Sequence, residues 1–120
     1  MKKALIVEDS QTDLKIMSSC LGQNGYQVVE ATNHDEALSQ IQQQPFNVIV
    51  LDVVLPDRSG FELCRQLKNE DNTRNIPIVI YSTKDSDLDK FWGMKQGADA
   101  YLTKPIDTDE LSRTLQQVVK

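Results

Sequence analysis

The sequence predicts an α/β fold: a five-stranded parallel sheet between two layers of helices, forming a three-layer α/β/α sandwich. Short apolar runs alternate along the chain with longer stretches that repeat apolar side chains at helical spacing, which is typical of successive βαβ units. Several runs are apolar throughout, as strands covered by helices on both faces require. Because crossovers between parallel strands are right-handed, these units favour the strand order 2-1-3-4-5, with a switch point between the first and third strands.

The first half of the chain is predicted to contain three strands and two helices. The first helix ends before Gly25, which can take the left-handed conformation that closes a helix. The second helix ends before Pro45, because proline cannot continue it. In order, the predicted elements are a strand ending at Val7, a helix at about Gln11–Asn24, a strand at Gln27–Ala31, a helix at about Asp35–Gln43 and a strand at Val48–Leu51.

The second half of the chain repeats this alternation. Gly60 opens the third helix, and Gly97 closes the fourth as Gly25 closes the first. In order, the predicted elements are a helix from Gly60, a strand from Ile76 to Ser82, a helix at about Asp87–Gln96, a strand at Tyr101–Thr103 and a helix from about Thr108. These elements account for the whole sequence, so we expect one domain over residues 1–120.

Composition and charge exclude several classes of function. The chain has 13 basic and 18 acidic residues, a net charge of -5 and no basic stripe, so a nucleic-acid partner is not expected. No apolar stretch approaches the roughly 20 residues of a membrane span, and no signal-peptide core follows Met1. We therefore expect a cytoplasmic protein without membrane insertion. Cys20 and Cys64 lack metal-ligand spacing and are predicted to be reduced core residues.

Polar side chains follow the predicted strands where ligands bind in such folds. Glu8 and Asp9 follow the first strand, Asp52 the third and Lys104 the fifth, while Ser82 ends the fourth. The carboxyl ends of parallel strands share one edge, and crowded carboxylates need a compensating cation. A few hard oxygen ligands suit Mg²⁺. The sequence thus predicts an edge of the sheet that can hold Mg²⁺ and handle a phosphoryl group. Taken alone, the acidic pair has an alternative interpretation as helix-capping charge.

In order and spacing, these residues resemble the receiver domain of two-component response regulators, which has the CheY-like fold. The resemblance covers the whole chain and includes the acidic pair, the acceptor aspartate, the hydroxyl residue, a switch aromatic and a Lys-Pro pair. Three segments look more narrowly like single-domain regulators of type IV pilus twitching and phototaxis systems, of the PilH type. They are Thr83-Lys84-Asp85, Trp92-Gly93-Met94-Lys95-Gln96-Gly97-Ala98 and Tyr101-Leu102-Thr103-Lys104-Pro105-Ile106-Asp107.

The resemblance implies a role for each residue of the metal and acceptor site. Asp9 and Asp52 would bind Mg²⁺ directly, Glu8 would act through water, and the backbone carbonyl of Val54 would supply a further ligand. Asp52 would take the phosphoryl group, and Lys104 would pair first with its carboxylate and then with that group.

The resemblance also implies a switch and a set of partners. Ser82 would bind a phosphoryl oxygen, Tyr101 would rotate into the vacated space, and a cis Pro105 would aim Lys104 into the pocket. The signal would be read on the surface of helix four, strand five and helix five. We expect a monomeric phosphoryl-accepting switch rather than an enzyme, with a CheA-like sensor histidine kinase as phosphodonor. With no output domain attached, its target would be a downstream motility or signalling protein.

Other functions fit parts of the sequence. The protein would alternatively be a phosphate sink, or a pseudo-receiver that only binds partners. A haloacid-dehalogenase-like phosphatase requires a second aspartate at the position of Val54. A flavodoxin-like FMN carrier requires a phosphate-binding loop where the first loop of this chain is acidic. Of the adjacent Phe91 and Trp92, one is expected to pack and the other to contact a partner. His34 is expected to help cap the second helix.

Overall fold

Five strands and five helices alternate along the chain in the computed structural model, which describes residues 1–120. They are β1 (Lys2–Val7), α1 (Gln11–Gln23), β2 (Tyr26–Ala31), α2 (His34–Gln43), β3 (Val48–Leu51), α3 (Gly60–Lys68), β4 (Ile78–Ser82), α4 (Asp87–Lys95), β5 (Ala100–Thr103) and α5 (Thr108–Val118). All strand pairs are parallel, and the order is β2-β1-β3-β4-β5. The predicted fold class and strand order are confirmed, and the topology is the flavodoxin-like, CheY-like one.

The sheet separates two apolar cores. Successive side chains of a strand point to opposite faces, so Ala4 and Ile6 of β1 join one core while Leu5 and Val7 join the other. Residues of α1 and α5 complete the first core, and residues of α2 and α3 complete the second. Both cysteines are buried and free, as predicted. This three-layer packing buries β1, β3 and β4 on both faces and fixes where their carboxyl ends lie.

The ends of several elements differ from the prediction by one or two residues, and the residue that caps α2 differs as well. Strand β4 starts at Ile78, two residues later than expected, because Pro77 has no N–H for the strand ladder. The cap of α2 is Asn33, whose side chain accepts a hydrogen bond from the N–H of Glu36. The prediction that His34 caps this helix is therefore wrong. His34 is instead fully buried, and neither ring nitrogen has a hydrogen-bond partner.

Helix α4 exposes more large apolar side chains than any other element. Phe91 is 60% exposed and Trp92 is 48% exposed, so the prediction that one of them packs inward is wrong. The buried residue of α4 is Gly93, which lies directly against the ring of Tyr101. Since the glycine takes the inward position, both aromatic side chains are turned toward solvent. No helix in the structure has the length and apolar character needed to cross a membrane.

Candidate functional site

The carboxyl edge of the sheet brings together residues from four strand ends. Val7 of β1 pairs with Leu51 of β3, so the residues that follow them, Glu8 and Asp52, lie side by side. Ser82 ends β4, and its carbonyl accepts a hydrogen bond from the N–H of Lys104, 3.0 Å away. Glu8, Asp52 and Ser82 are all buried. Parallel pairing therefore assembles most of the predicted site from segments that are distant in sequence.

Lys104 connects the carboxylates of the site. Its Nζ lies 2.6 Å from Glu8 Oε1, 2.9 Å from Asp13 Oδ2 and 3.0 Å from Asp52 Oδ2. Burial by itself lowers the pKa of Lys104, but hydrogen bonds to Glu8, Asp13 and Asp52 outweigh it and raise the pKa above its usual value. The ammonium group therefore stays charged. Three carboxylates around one cation leave the cluster with an excess of negative charge.

Asp13 was not among the residues predicted from the sequence. It lies in the first turn of α1, three residues after the N-cap Ser10, whose Oγ accepts a hydrogen bond from its N–H. An acidic residue at this position is usually explained by helix capping and the helix dipole. The one sequence signal that could have included it is that α1 begins at Gln11, shortly after β1 ends at Val7. The contact itself depends on where Lys104 lies, and only the tertiary structure shows that position.

Tyr81 packs its ring against the ammonium group and was also not among the residues predicted from the sequence. The centroid of its ring lies 4.8 Å from Lys104 Nζ, a distance at which a cation and an aromatic face attract each other. Its hydroxyl donates a hydrogen bond to the backbone carbonyl of Asp13, at 3.1 Å. Burial, then the charge of Glu8, raises the pKa of Tyr81 far above its usual value. Tyr81 therefore remains a neutral donor that ties β4 to the start of α1.

The remaining predicted metal ligands are placed differently. Asp9 is exposed and forms no hydrogen bond or ion pair. Val54 is also exposed, and its N–H donates to Asp52 Oδ1 at 3.3 Å, so its backbone lies beside the carboxylate that is predicted to be the acceptor. No three His, Cys, Asp or Glu side chains form a ready-made metal cage. Mg²⁺ does not require one, because it usually retains several waters and uses one or two carboxylates. The excess negative charge and hard oxygen donors around Asp52 fit such an ion.

Both predicted switch residues form hydrogen bonds with the backbone of Lys84. Ser82 Oγ accepts a hydrogen bond from the N–H of Lys84 at 3.3 Å, and the hydroxyl of Tyr101 donates to the carbonyl of Lys84 at 2.6 Å. Burial, and then the charges of nearby aspartates, raises the pKa of Tyr101 to about 12. The Lys104–Pro105 peptide bond is cis. The loop after β4 is thus held from both sides by Ser82 and Tyr101.

Comparison with known families identifies this arrangement. The sequence profile of the response regulator receiver domain matches residues 4–116. The chain belongs to the receiver family. Receivers are signalling switch proteins rather than classical enzymes.

Individual relatives match this receiver over nearly its whole length. Protein PilH of Pseudomonas aeruginosa PAO1 is 39% identical over 119 residues, covering 99% of this chain and 98% of PilH. The chain spans about half the length of other curated relatives, which are 34–35% identical to it.

Solved structures give the same family and fold. The chemotaxis protein CheY4 of Vibrio cholerae superposes with a TM-score of 0.91 at 34% identity, covering 99% of each chain. The receiver domain of a Pseudomonas aeruginosa PAO1 sensor histidine kinase superposes with a TM-score of 0.88 at 26% identity, covering 98% of this receiver and 96% of that chain. That structure is described with a magnesium ion coordinated in its active site cleft.

Proposed function

We propose that this receiver accepts a phosphoryl group on Asp52 in a Mg²⁺-dependent reaction and acts as a single-domain response regulator over residues 1–120. The observation that carries the proposal is the ion pair between Lys104 and Asp52 at the carboxyl edge of the sheet. A buried carboxylate next to a fixed cation can act as a nucleophile while the cation offsets charge on an incoming phosphate.

The proposed reaction uses groups already placed by the fold. An oxygen of Asp52 attacks the phosphorus of a phosphohistidine, a P–O bond forms and the P–N bond breaks, and the histidine leaves as neutral imidazole because its other ring nitrogen already carries a proton. Lys104 pairs with the transferred group as a compact point charge. Receiver membership supports a sensor histidine kinase as the phosphodonor, and we propose one of the CheA-like kind.

The metal would be held by carboxylate and carbonyl oxygens around the acceptor. Asp52 and Asp9 would bind it directly, Glu8 through water, and Val54 with its backbone carbonyl. When bound, Mg²⁺ neutralises charge on the transferring oxygens. Glu8 and Asp52 are already within hydrogen-bond distance of Lys104, and Asp9 is free of other partners.

The output would depend on the loop after β4. A phosphoryl oxygen bound by the hydroxyl of Ser82 would compete with its present bond to the N–H of Lys84. Because Tyr101 bonds to the carbonyl of the same residue, a change at Ser82 would reach Tyr101 through one peptide unit. The altered surface of α4, β5 and α5 would then control a partner protein. Likeness to PilH over the whole chain supports a partner in pilus-based motility, chemotaxis or phototaxis.

Intact-protein mass after incubation with acetyl phosphate tests the acceptor directly. The native chain should gain one phosphoryl group with Mg²⁺ and none when Mg²⁺ is chelated. Asp52→Asn should gain none, while Asp57→Asn, a nearby exposed aspartate, should behave as the native chain does. Phosphorylation of Asp52→Asn would contradict the assignment of the acceptor, and a native chain that binds no Mg²⁺ and gains no mass would support a pseudo-receiver.

A further inference from the structure

The hydrogen-bond donors of Lys104 are all in use. A lysine ammonium group has three N–H donors and no acceptor. In the structure it meets three carboxylate oxygens, those of Glu8, Asp13 and Asp52. No donor is therefore left for a phosphoryl oxygen. For Lys104 to bind the incoming group before transfer, while Asp52 is still a carboxylate, one of these three bonds must be given up.

The three bonds differ in how easily they can be exchanged. The side chains of Glu8 and Asp52 are 2% and 8% exposed, whereas that of Asp13 is 34% exposed. A buried carboxylate that loses its cation is left without solvent to replace it, and this is strongly unfavourable. A partly exposed carboxylate recovers water when its ion pair opens, so exposed pairs contribute little net stability. Asp13 is thus the partner that Lys104 can leave at the lowest cost.

We propose that Asp13 is a positioning residue, which occupies the third donor of Lys104 in the resting state and yields it when a phosphoryl group arrives. The inference rests on the proposed function of Asp52 as acceptor. Asp13 holds Lys104 near the acceptor before reaction, but it also competes with the phosphate and adds a negative charge beside it. Asp13 therefore raises the phosphodonor concentration that is needed for half-maximal phosphorylation.

Tyr81 keeps Asp13 in place for this role. The Tyr81 hydroxyl fixes the backbone carbonyl of Asp13, and its ring faces the ammonium group from below. The backbone of Asp13 is therefore anchored while its carboxylate remains partly in solvent. Release of Lys104 requires only a side-chain movement of Asp13, with no displacement of α1.

The test compares Asp13→Asn with Asp13→Glu. Asparagine keeps the size and an acceptor oxygen but loses the charge, so its bond to Lys104 is weaker than a charge-assisted one. We expect the acetyl phosphate concentration for half-maximal phosphorylation to fall about two- to five-fold, the effect of weakening one partly exposed ion pair. The maximal rate and the Mg²⁺ affinity measured by calorimetry should change less. Asp13→Glu, which retains the charge, should restore the native half-saturation concentration.

The control is Asp35→Asn, the same change in the first turn of α2, where the side chain is 85% exposed. It should leave all three quantities at their native values. A higher half-saturation concentration in Asp13→Asn, or an unchanged one, would overturn the proposal. A large loss of Mg²⁺ affinity would also overturn it, since it would make Asp13 a metal ligand. Failure of the native chain to be phosphorylated on Asp52 would instead refute the proposed function.

Discussion

Replacing Gly60 with alanine should damage the proposed acceptor site through a clash with the backbone of Asp52. A Cβ built on Gly60 would lie 2.0 Å from the carbonyl oxygen of Asp52 and 2.8 Å from its carbonyl carbon. Real Cβ atoms essentially never come closer than 3.0 Å, so 3.0 minus 2.0 gives a required movement of about 1 Å. Because the two nearest atoms of Asp52 belong to its backbone, no side-chain rotation of Asp52 can relieve the clash.

The size of the effect follows from that displacement. Overpacking of this kind typically costs about 1–3 kcal/mol of the free energy of unfolding. A misplacement of about 1 Å at a reacting group lowers its rate about 100-fold. We therefore expect Gly60→Ala to be less stable in urea unfolding and to take up phosphate from acetyl phosphate about two orders of magnitude more slowly, once folded fractions are accounted for.

Gly22→Ala provides the matched control. Gly22 lies within α1, and a Cβ there would meet nothing within 4 Å. Removing a helical glycine without a clash should stabilise the protein by about 0.5–1 kcal/mol and leave phosphorylation unchanged. If Gly60→Ala unfolded at the native urea concentration and reacted at the native rate, the close approach of α3 to Asp52 would not control the acceptor as we argue.

Two further substitutions test contacts around the site. Tyr101→Phe removes a hydroxyl whose folded pKa is raised from 10.0 to about 12 by burial and nearby aspartates. Its stabilisation is complete below pH 10 and is lost as the pH rises toward 12, because the unfolded chain releases the proton first. The difference in free energy of unfolding between the native chain and Tyr101→Phe should therefore shrink over that range, and a constant difference would argue against it. Asp57→Ala removes a carboxylate whose slight burial is outweighed by N–H bonds from His34, Asp35 and Arg58, which lower its pKa. Because Asp57 is exposed and its charge lies at the start of α2, we expect a loss of at most about 0.3–1 kcal/mol at neutral pH that fades as the pH falls below the usual carboxyl range. Thermal unfolding at several pH values measures this, and equal loss at low pH would contradict it.

Much of this fold could be predicted because local signals and tertiary packing agree. The apolar run Val48–Leu51 has no polar face, so it could only be a strand covered on both sides. Gly25 and Gly97 correctly predicted the ends of two helices, since their φ angles of 89° and 106° are in the left-handed region that favours glycine. Glu8, Asp52 and Lys104 could be assigned to one edge because parallel strands bring their carboxyl ends together.

The missed residues depend on distances that no local pattern contains. Asp13 and Tyr81 each have a sufficient local explanation, one as first-turn helix charge and the other as a buried strand aromatic. Their common role appears only when Lys104, more than twenty residues beyond Tyr81 in sequence, is placed over both. The orientation of α4 was missed for a similar reason, since Gly93 faces inward only because the ring of Tyr101 fills the space beside it.

The sequence separation of the site residues links signalling competence to folding. Lys104 is 96 residues from Glu8, 91 from Asp13 and 52 from Asp52. Contacts this distant form late, since the loop entropy must be overcome before they are made. Until β5 adds to the sheet, the buried carboxylates lack their cation, and the proposed acceptor site is incomplete. Under the proposed function, phosphorylation of Asp52 would therefore require that β5 has already docked on the sheet.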